Sequence, residues 1–259
     1  MGALVRAQNP GSLDPGFDVG AGISFTTGPR PVGALQSDGK LVLLGAFSPW
    51  PGIARVNRDG TLDRNFAVST GFSFANAMEP VAIALQSNDK ILVGGFFSSY
   101  EGVARRGLLR LNADGSLDNA FNPGASLEPG VFDTRVVRHL FAQTDGKFVE
   151  AGVFTYTSNG VLRKDIVRFN GDGTVDQEFT FDPAMPRISA IDVTETGQIM
   201  LSYVQEISEG VFRGKVVRLL MNGTVDPTFD TGAGFTQFIS SPFFTDSPRL
   251  YMRLRISRP

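Results

Sequence analysis

The sequence predicts an all-β fold, a five-bladed β-propeller of four-stranded antiparallel blades, and three observations carry that prediction. The first is a register of Arg, Asp eight residues on and Phe three further, which occurs five times: Arg6, Asp14, Phe17; Arg55, Asp63, Phe66; Arg110, Asp118, Phe121; Arg168, Asp176, Phe179; and Arg218, Asp226, Phe229. Self-similarity at a period of about fifty residues marks a repeat architecture. The second is a Gln-x-Asp-Gly-Lys block between these copies, beginning at Gln36, Gln86 (as Gln-Ser-Asn-Asp-Lys) and Gln143, with a degenerate copy over Thr194–Met200. The third is composition: 30 Gly and 22 Phe against one Trp, the balance of glycine turns and aromatic strands.

Each unit reads as four strands. In the second unit Val81–Leu85 is the first, Lys90–Gly95 the second, Leu108–Asn112 the third and Ser116–Phe121 a short fourth. The Asp-Gly steps between them suit two-residue hairpin turns with both central residues at positive φ. Ile91, Leu92 and Val93 are apolar in succession rather than in alternation, as in a sheet buried on both faces. The following glycine fits a close backbone approach or a bulge.

The ends of the chain are complementary. Leu4 to Phe17 supplies only third and fourth strands, while Thr236–Ser240 and Arg249–Ser257 supply candidates for a first and second. The expected organisation is one domain, 1–259, with units at about 14–62, 63–117, 118–175 and 176–225, and a fifth combining 226–259 with 1–13. Pairing N-terminal strands (about 4–17) with C-terminal strands (about 234–257) would close the ring and hide sheet edges that otherwise invite aggregation.

The run Arg110-Leu111-Asn112-Ala113-Asp114-Gly115-Ser116-Leu117-Asp118 with Phe121, together with the Gln-x-Asp-Gly-Lys-Ile-Leu-Val-Gly-Gly block, resembles the delta-60 repeat family, a propeller-type repeat of bacterial secreted and cell-surface proteins. The unit at 176–225 departs from the pattern, with Tyr203 at the usual glycine. The resemblance implies an exported bacterial protein and carries no activity with it. Met1 to Arg6 lacks the features of a signal peptide, so such a signal is expected to be absent from this chain.

Composition excludes several functions. With 24 basic and 26 acidic residues the net charge is −2 and no basic run stands out, so nucleic acid is not an expected partner. No apolar run is long enough for a membrane-spanning helix. The absence of cysteine removes disulfides, thiolate zinc sites and cysteine nucleophiles. A single histidine, His139, leaves no three-histidine metal site, and any Ser-His-Asp triad would have to use it.

Two sets of candidate site residues remain. The repeated loops Asn57, Asp59, Asp63; Asn112, Asp114, Asp118; and Asn170, Asp172, Asp176 place oxygen ligands on alternate residues, as calcium prefers. The competing reading is a turn whose Asp side chains bond to backbone amides. Pro10 and Asn222 replace the middle Asp in two copies, which suits the turn better. No other cofactor is expected. The Arg and Asp of the repeat are expected to pair within each blade, since a partly buried bidentate pair favours Arg over Lys.

Residues that break the repeat are the candidate ligand-binding set: Glu150, His139, Asp192 and Tyr203, with His139 and Asp192 on first strands. Trp50, Tyr100, Tyr156 and Tyr203 are aromatics that could stack on sugars if exposed. The expected function is a non-enzymatic binding or scaffold module of the cell surface or secreted fraction, contacting protein or glycan through loops on one face. The alternatives are a carbohydrate-active enzyme with paired carboxylates at the channel mouth, and a structural subunit of a larger surface assembly. A monomer or a part of such an assembly is the expected state.

Overall fold

The computed structural model describes residues 16–17, 24–25, 31–48, 51–73, 80–123, 136–186, 188–194, 197–208, 211–229, 232 and 235–238. The chain divides into two compact units, Met1–Asp176 and Gln177–Pro259.

In the first unit, β1 (Ser24–Phe25), β2 (Val32–Leu35), β3 (Leu41–Ser48) and β4 (Pro51–Val56) form one antiparallel sheet; β2 and β4 flank β3, and β1 pairs with its far end. A small sheet of β5 (Phe72–Ser73), β8 (Ser99–Tyr100) and β9 (Val103–Ala104) accompanies the second main sheet, which is β6 (Pro80–Leu85), β7 (Ile91–Gly95) and β10 (Leu108–Leu111) with β7 central. The third is β11 (Val136–Ala142), β12 (Phe148–Ser158) and β13 (Val161–Phe169), β12 central. The second unit carries β14 (Ile188–Val193), β15 (Ile199–Ser208), β16 (Val211–Leu219) and β17 (Phe235–Phe238), paired in chain order. All pairings are antiparallel.

The expected fourth strand of each unit contracts to one bridge: Val56 with Leu62, Leu111 with Leu117, Phe169 with Val175 and Leu219 with Val225. The aspartate that follows is the cause. In the second repeat the Asp118 carboxylate accepts the Ala120 amide at 3.2 Å and its carbonyl accepts the Phe121 amide at 3.1 Å, turning the chain out of the sheet.

The turns also differ from expectation. The Gly60 amide donates to the Asn57 carbonyl at 3.0 Å and the Asn57 amide to the Thr61 carbonyl at 2.8 Å, and only the glycine has positive φ. This is a three-residue loop, a turn followed by one left-handed residue, instead of the two-residue hairpin. The Gln-x-Asp-Gly-Lys turns repeat it, as at Gln36–Lys40. Asp89 occupies the left-handed position in the one copy without glycine, at φ 58°. A two-residue turn with both residues at positive φ does occur at Asn159-Gly160, joining β12 to β13.

The consecutive burial of β7 is as expected. Ile91 and Val93 belong to a core cluster with Val42, Leu44, Ile53 and Phe66, while Leu92 belongs to another with Val137, Phe148 and Val167. One strand thus contributes alternate residues to two cores, each buried side chain stabilising by about 1.5–3 kcal/mol. Gly94 is the close approach: a Cβ there would lie 2.4 Å from a Val137 methyl.

The turn joining β8 to β9 places Glu101 at φ 48°, uncommon for a residue with a long side chain. Its carboxylate accepts the amides of Ser69 (2.9 Å), Thr70 (3.2 Å) and Gly71 (2.8 Å) and both hydroxyls of Ser69 and Thr70. Burial pushes its pKa upward, but these donors outweigh it and hold the group at about 2. Because the folded pKa lies below the ordinary 4.5, the stabilisation is present above about pH 4.5 and lost as pH falls through about 2. Glu101→Gln should therefore cost about 1–2 kcal/mol at pH 7. Urea titrations over a pH series should show that difference shrinking to nothing at the acid end.

The ring closure falls largely outside the described residues: of its segments only residues 16–17 and β17 are described, and β17 pairs with the Val211–Gly214 end of β16.

Candidate functional site

The repeated polar residues converge on one recurring cluster. In the first repeat, Asp63 Oδ2 accepts Arg55 Nε at 2.9 Å, Arg55 Nη2 at 2.8 Å and Lys40 Nζ at 2.8 Å, while Oδ1 accepts the Asn65 amide at 3.0 Å. The guanidinium lies over the Phe66 ring, 4.7 Å from its centre. Arg55 Nη1 also donates to Gln36 Oε1 at 3.2 Å. The second repeat matches: Asp118 takes Arg110 at 2.8 Å and Lys90 at 2.7 Å, Arg110 donates to Gln86 at 3.1 Å and covers Phe121 at 4.4 Å. Asp176 takes Arg168 at 2.7 Å and Lys147 at 2.9 Å. Arg218 pairs with Asp226 at 2.8 Å and lies over Phe229 at 5.0 Å, with Gln198 in place of the lysine. The expected Arg–Asp pairs are thus present in four repeats, and the Arg6–Asp14 copy lies outside the described residues. Burial raises the pKa of Asp63 and Asp118, but their cationic partners more than offset it, and both carboxyls titrate below the usual range.

The cluster also reaches into the next repeat, which the sequence reading did not foresee. Arg55 Nη1 donates to the Ala113 carbonyl at 2.5 Å and Gln36 Nε2 to the same oxygen at 3.0 Å. The Ala67 amide donates to the Asp114 carbonyl at 2.7 Å, and the Phe66 ring sits where a Cβ on Gly115 would be, at 2.8 Å. Arg110 donates likewise to the Gly171 carbonyl, and Phe121 packs against Gly173. In the second unit Phe179 packs against Gly223, and the Thr180 amide donates to the Asn222 carbonyl at 2.7 Å. The first and second repeats therefore each hold the Asn-x-Asp-Gly turn of the next with an arginine and a phenylalanine, and Phe179 holds the turn at Gly223 in the same way. We call this arrangement the clasp.

The residues considered for calcium divide between clasp and turn. Asp63, Asp118 and Asp176 face Arg and Lys. Asp59, Asp114 and Asp172 each accept the amide of the Thr or Ser two residues on at 2.9 Å and its hydroxyl at 2.7 Å. Asn57, Asn112 and Asn170 donate to the same hydroxyls at 2.9–3.0 Å. Among the described residues no three His, Asp or Glu side chains gather as metal ligands do.

Of the residues that break the repeat, His139 and Asp192 lie on the first strands β11 and β14, as expected, and both are exposed. The His139 ring stacks on Phe141 with centroids 6.3 Å apart. Protein packed about the ring, and then the Arg138 charge, hold its pKa below the ordinary value. Glu150 is fully buried in β12, between Leu140 and Val167 across the sheet. Tyr203 and Tyr100 are buried, so neither is an exposed aromatic platform; the Tyr100 hydroxyl donates to the Gly115 carbonyl at 2.9 Å. Burial raises the Tyr100 pKa. Trp50 and the Tyr156 side chain lie outside the described residues.

The family model of the β-propeller domain of unknown function DUF5122 matches residues 36–66, 86–121, 143–179 and 203–229, just over half of the chain. The chain belongs to this family. The first two matched segments run from Gln36 to Phe66 and from Gln86 to Phe121, each bounded by a glutamine that accepts from the clasp arginine and by the clasp phenylalanine. The family supports the propeller repeat read from the sequence; the delta-60 likeness remains one of motif.

None of the curated proteins compared with the chain matches it. The solved extracellular domain of a one-component system from B. thetaiotaomicron is similar over 73% of this chain and 40% of its own, at 10% identity and a TM-score of 0.22, too low to carry an argument. The chain thus spans well under two thirds of that protein's length. Among the described residues no helix is long and apolar enough to cross a membrane.

Proposed function

We propose that this DUF5122 chain is a non-enzymatic binding or scaffold module, one five-bladed propeller domain closed by pairing its N-terminal strands (about 4–17) with its C-terminal strands (about 234–257). It would recognise a protein or glycan through one face. The cell surface or secreted fraction is the location that the delta-60 resemblance implies.

One observation carries the reading: the charged residues common to the repeats are engaged with one another, and Arg55 and Arg110 also with the next repeat's turn. Recognition then falls to residues that depart from the repeat and meet solvent. His139, stacked on Phe141, offers an imidazole edge and an aromatic face together, a combination suited to sugar hydroxyls and ring faces. Asp192 offers an acceptor on the corresponding strand of its repeat.

A glycan-array screen of the purified protein, with calcium and with a chelator, tests this. The expected result is a competable signal that survives chelation, because Asp59, Asp114 and Asp172 are engaged in their own turns, and that falls at least tenfold in His139→Ala. Loss in chelator would instead assign the binding to calcium in those loops. A blank array in both conditions would exclude the glycan and leave a protein partner, sought by crosslinking on intact cells.

A further inference from the structure

The first strand of the third sheet carries a chemistry that its counterparts lack. In β11 Val137 pairs with Gly152 and His139 with Ala151, so Arg138 between them is an extra residue, a β-bulge. Side chains on a strand alternate between its faces, yet Val137 and Leu140 are both buried in one core cluster. The extra residue has shifted the alternation by one. Arg138 and His139 therefore both turn away from that core, and both are exposed. Phe141, the next residue but one after His139, lies on the same side, half-buried, with the two rings stacked at 9°. A guanidinium, an imidazole and a phenyl ring thus stand together on one face of one strand. The same bulge recurs without that chemistry: β6 shifts register between Pro80 and Ala82, and β14 between Ile188 and Ala190. The residues corresponding to Arg138, His139 and Phe141 are Val81, Ala82 and Ala84 in β6, and Ser189, Ala190 and Asp192 in β14. Ala82 and Ala84 are buried core residues. The bulge belongs to the repeat; among these three strands the cation with two rings belongs to β11.

We infer that β11 binds a carboxylated sugar, a hexuronate or a sialic acid, with the carboxylate on Arg138, a hydroxyl on His139 and the apolar ring face against the stacked rings of His139 and Phe141. This rests on the glycan reading proposed above and names the class of sugar. A guanidinium meets a carboxylate with two parallel hydrogen bonds. Arg138 also has a partner within the protein, and the five N–H donors of a guanidinium serve both. Burial, and then the Arg138 charge, hold the His139 pKa below the ordinary 6.5, so the ring is neutral at pH 7. A neutral imidazole donates with one nitrogen and accepts with the other, which suits a hydroxyl. A neutral sugar would leave the guanidinium unused, and an acidic peptide would leave the ring face unused.

Titration calorimetry on the full chain tests this with matched probes. The acidic sugars are a galacturonic acid oligomer and sialyllactose; their neutral twins are the oligomer with its carboxyls reduced to alcohols, and lactose. A glutamate peptide supplies carboxylates without a sugar ring. The expected result is binding of at least one acidic sugar, with its neutral twin weaker by about tenfold or more. Arg138→Gln should remove that difference and leave the neutral twin unchanged, while His139→Ala should weaken both. Both side chains are exposed, so the variants should keep the parent's urea midpoint. Equal binding of an acidic sugar and its twin, with Arg138→Gln silent, overturns the inference and leaves the glycan reading intact. Binding of the glutamate peptide as tight as that of the sugar also overturns it, because charge alone would then suffice. Absence of binding to all these probes, beside an array signal for another sugar, removes the inference alone; with a blank array as well, both fall.

Discussion

Asp118→Ala should destabilise the first unit by about 3–5 kcal/mol, because it strands Arg110 and Lys90 against a largely buried cluster with no counter-charge. Total stabilities are about 5–15 kcal/mol, so the loss would be visible as a large fall in the urea midpoint. Asp114→Ala, four residues earlier, removes an exposed carboxylate bonded only within its turn and should cost about 1 kcal/mol. The pairing of Arg110→Met with Asp118→Leu should cost less than Asp118→Ala alone, since the buried guanidinium is gone and only Lys90, whose side chain is 30% exposed, loses its partner. Equal effects of Asp118→Ala and Asp114→Ala would contradict the clasp.

Gly115→Ala is the second large effect, at about 3 kcal/mol. The backbone lies at φ 94°, which costs an L side chain about 1–2 kcal/mol. The new methyl would also meet the Phe66 ring at 2.8 Å, and overpacking adds about 1–3 kcal/mol. Gly146 is the natural control: φ is 84°, yet no atom lies within 4 Å of a Cβ built there. Gly146→Ala should show the backbone penalty alone, and the difference between the variants, read from urea melts, measures the packing between repeats. Phe66→Leu should relieve part of the Gly115→Ala cost, a non-additivity expected of residues in contact.

The clasp shows what the sequence made legible. The Arg–Asp–Phe register and the consecutive burial of β7 could be read directly, because invariant spacing and strand periodicity are linear properties. That Arg55 also serves Ala113 could not, since the two are far apart in the chain and nothing in either motif names its partner. One signal was there: glycine at Gly115, Gly173 and Gly223 is more than a turn demands once phenylalanine recurs six residues later in every unit. The turns were misjudged because Asp-Gly is shared by two- and three-residue loops, and the hydrogen bonds around Asn57 and Thr61 decide between them. Tyr100 looked like a platform because its partner, the Gly115 carbonyl, is invisible in one dimension. The binding set stayed less defined, since a residue that breaks a repeat can do so for packing, as buried Glu150 and Tyr203 illustrate.

Residues of the first repeat bind the turn of the second. Hydrogen exchange on Arg55→Ala tests it most directly, because Arg55 lies in the first matched repeat and its acceptor in the second. Exchange should be faster at the Asn112, Gly115 and Ser116 amides of the second repeat's turn, as well as at Asp63 and Asn65. Acceleration confined to residues 36–66, with the second turn unchanged, would contradict it.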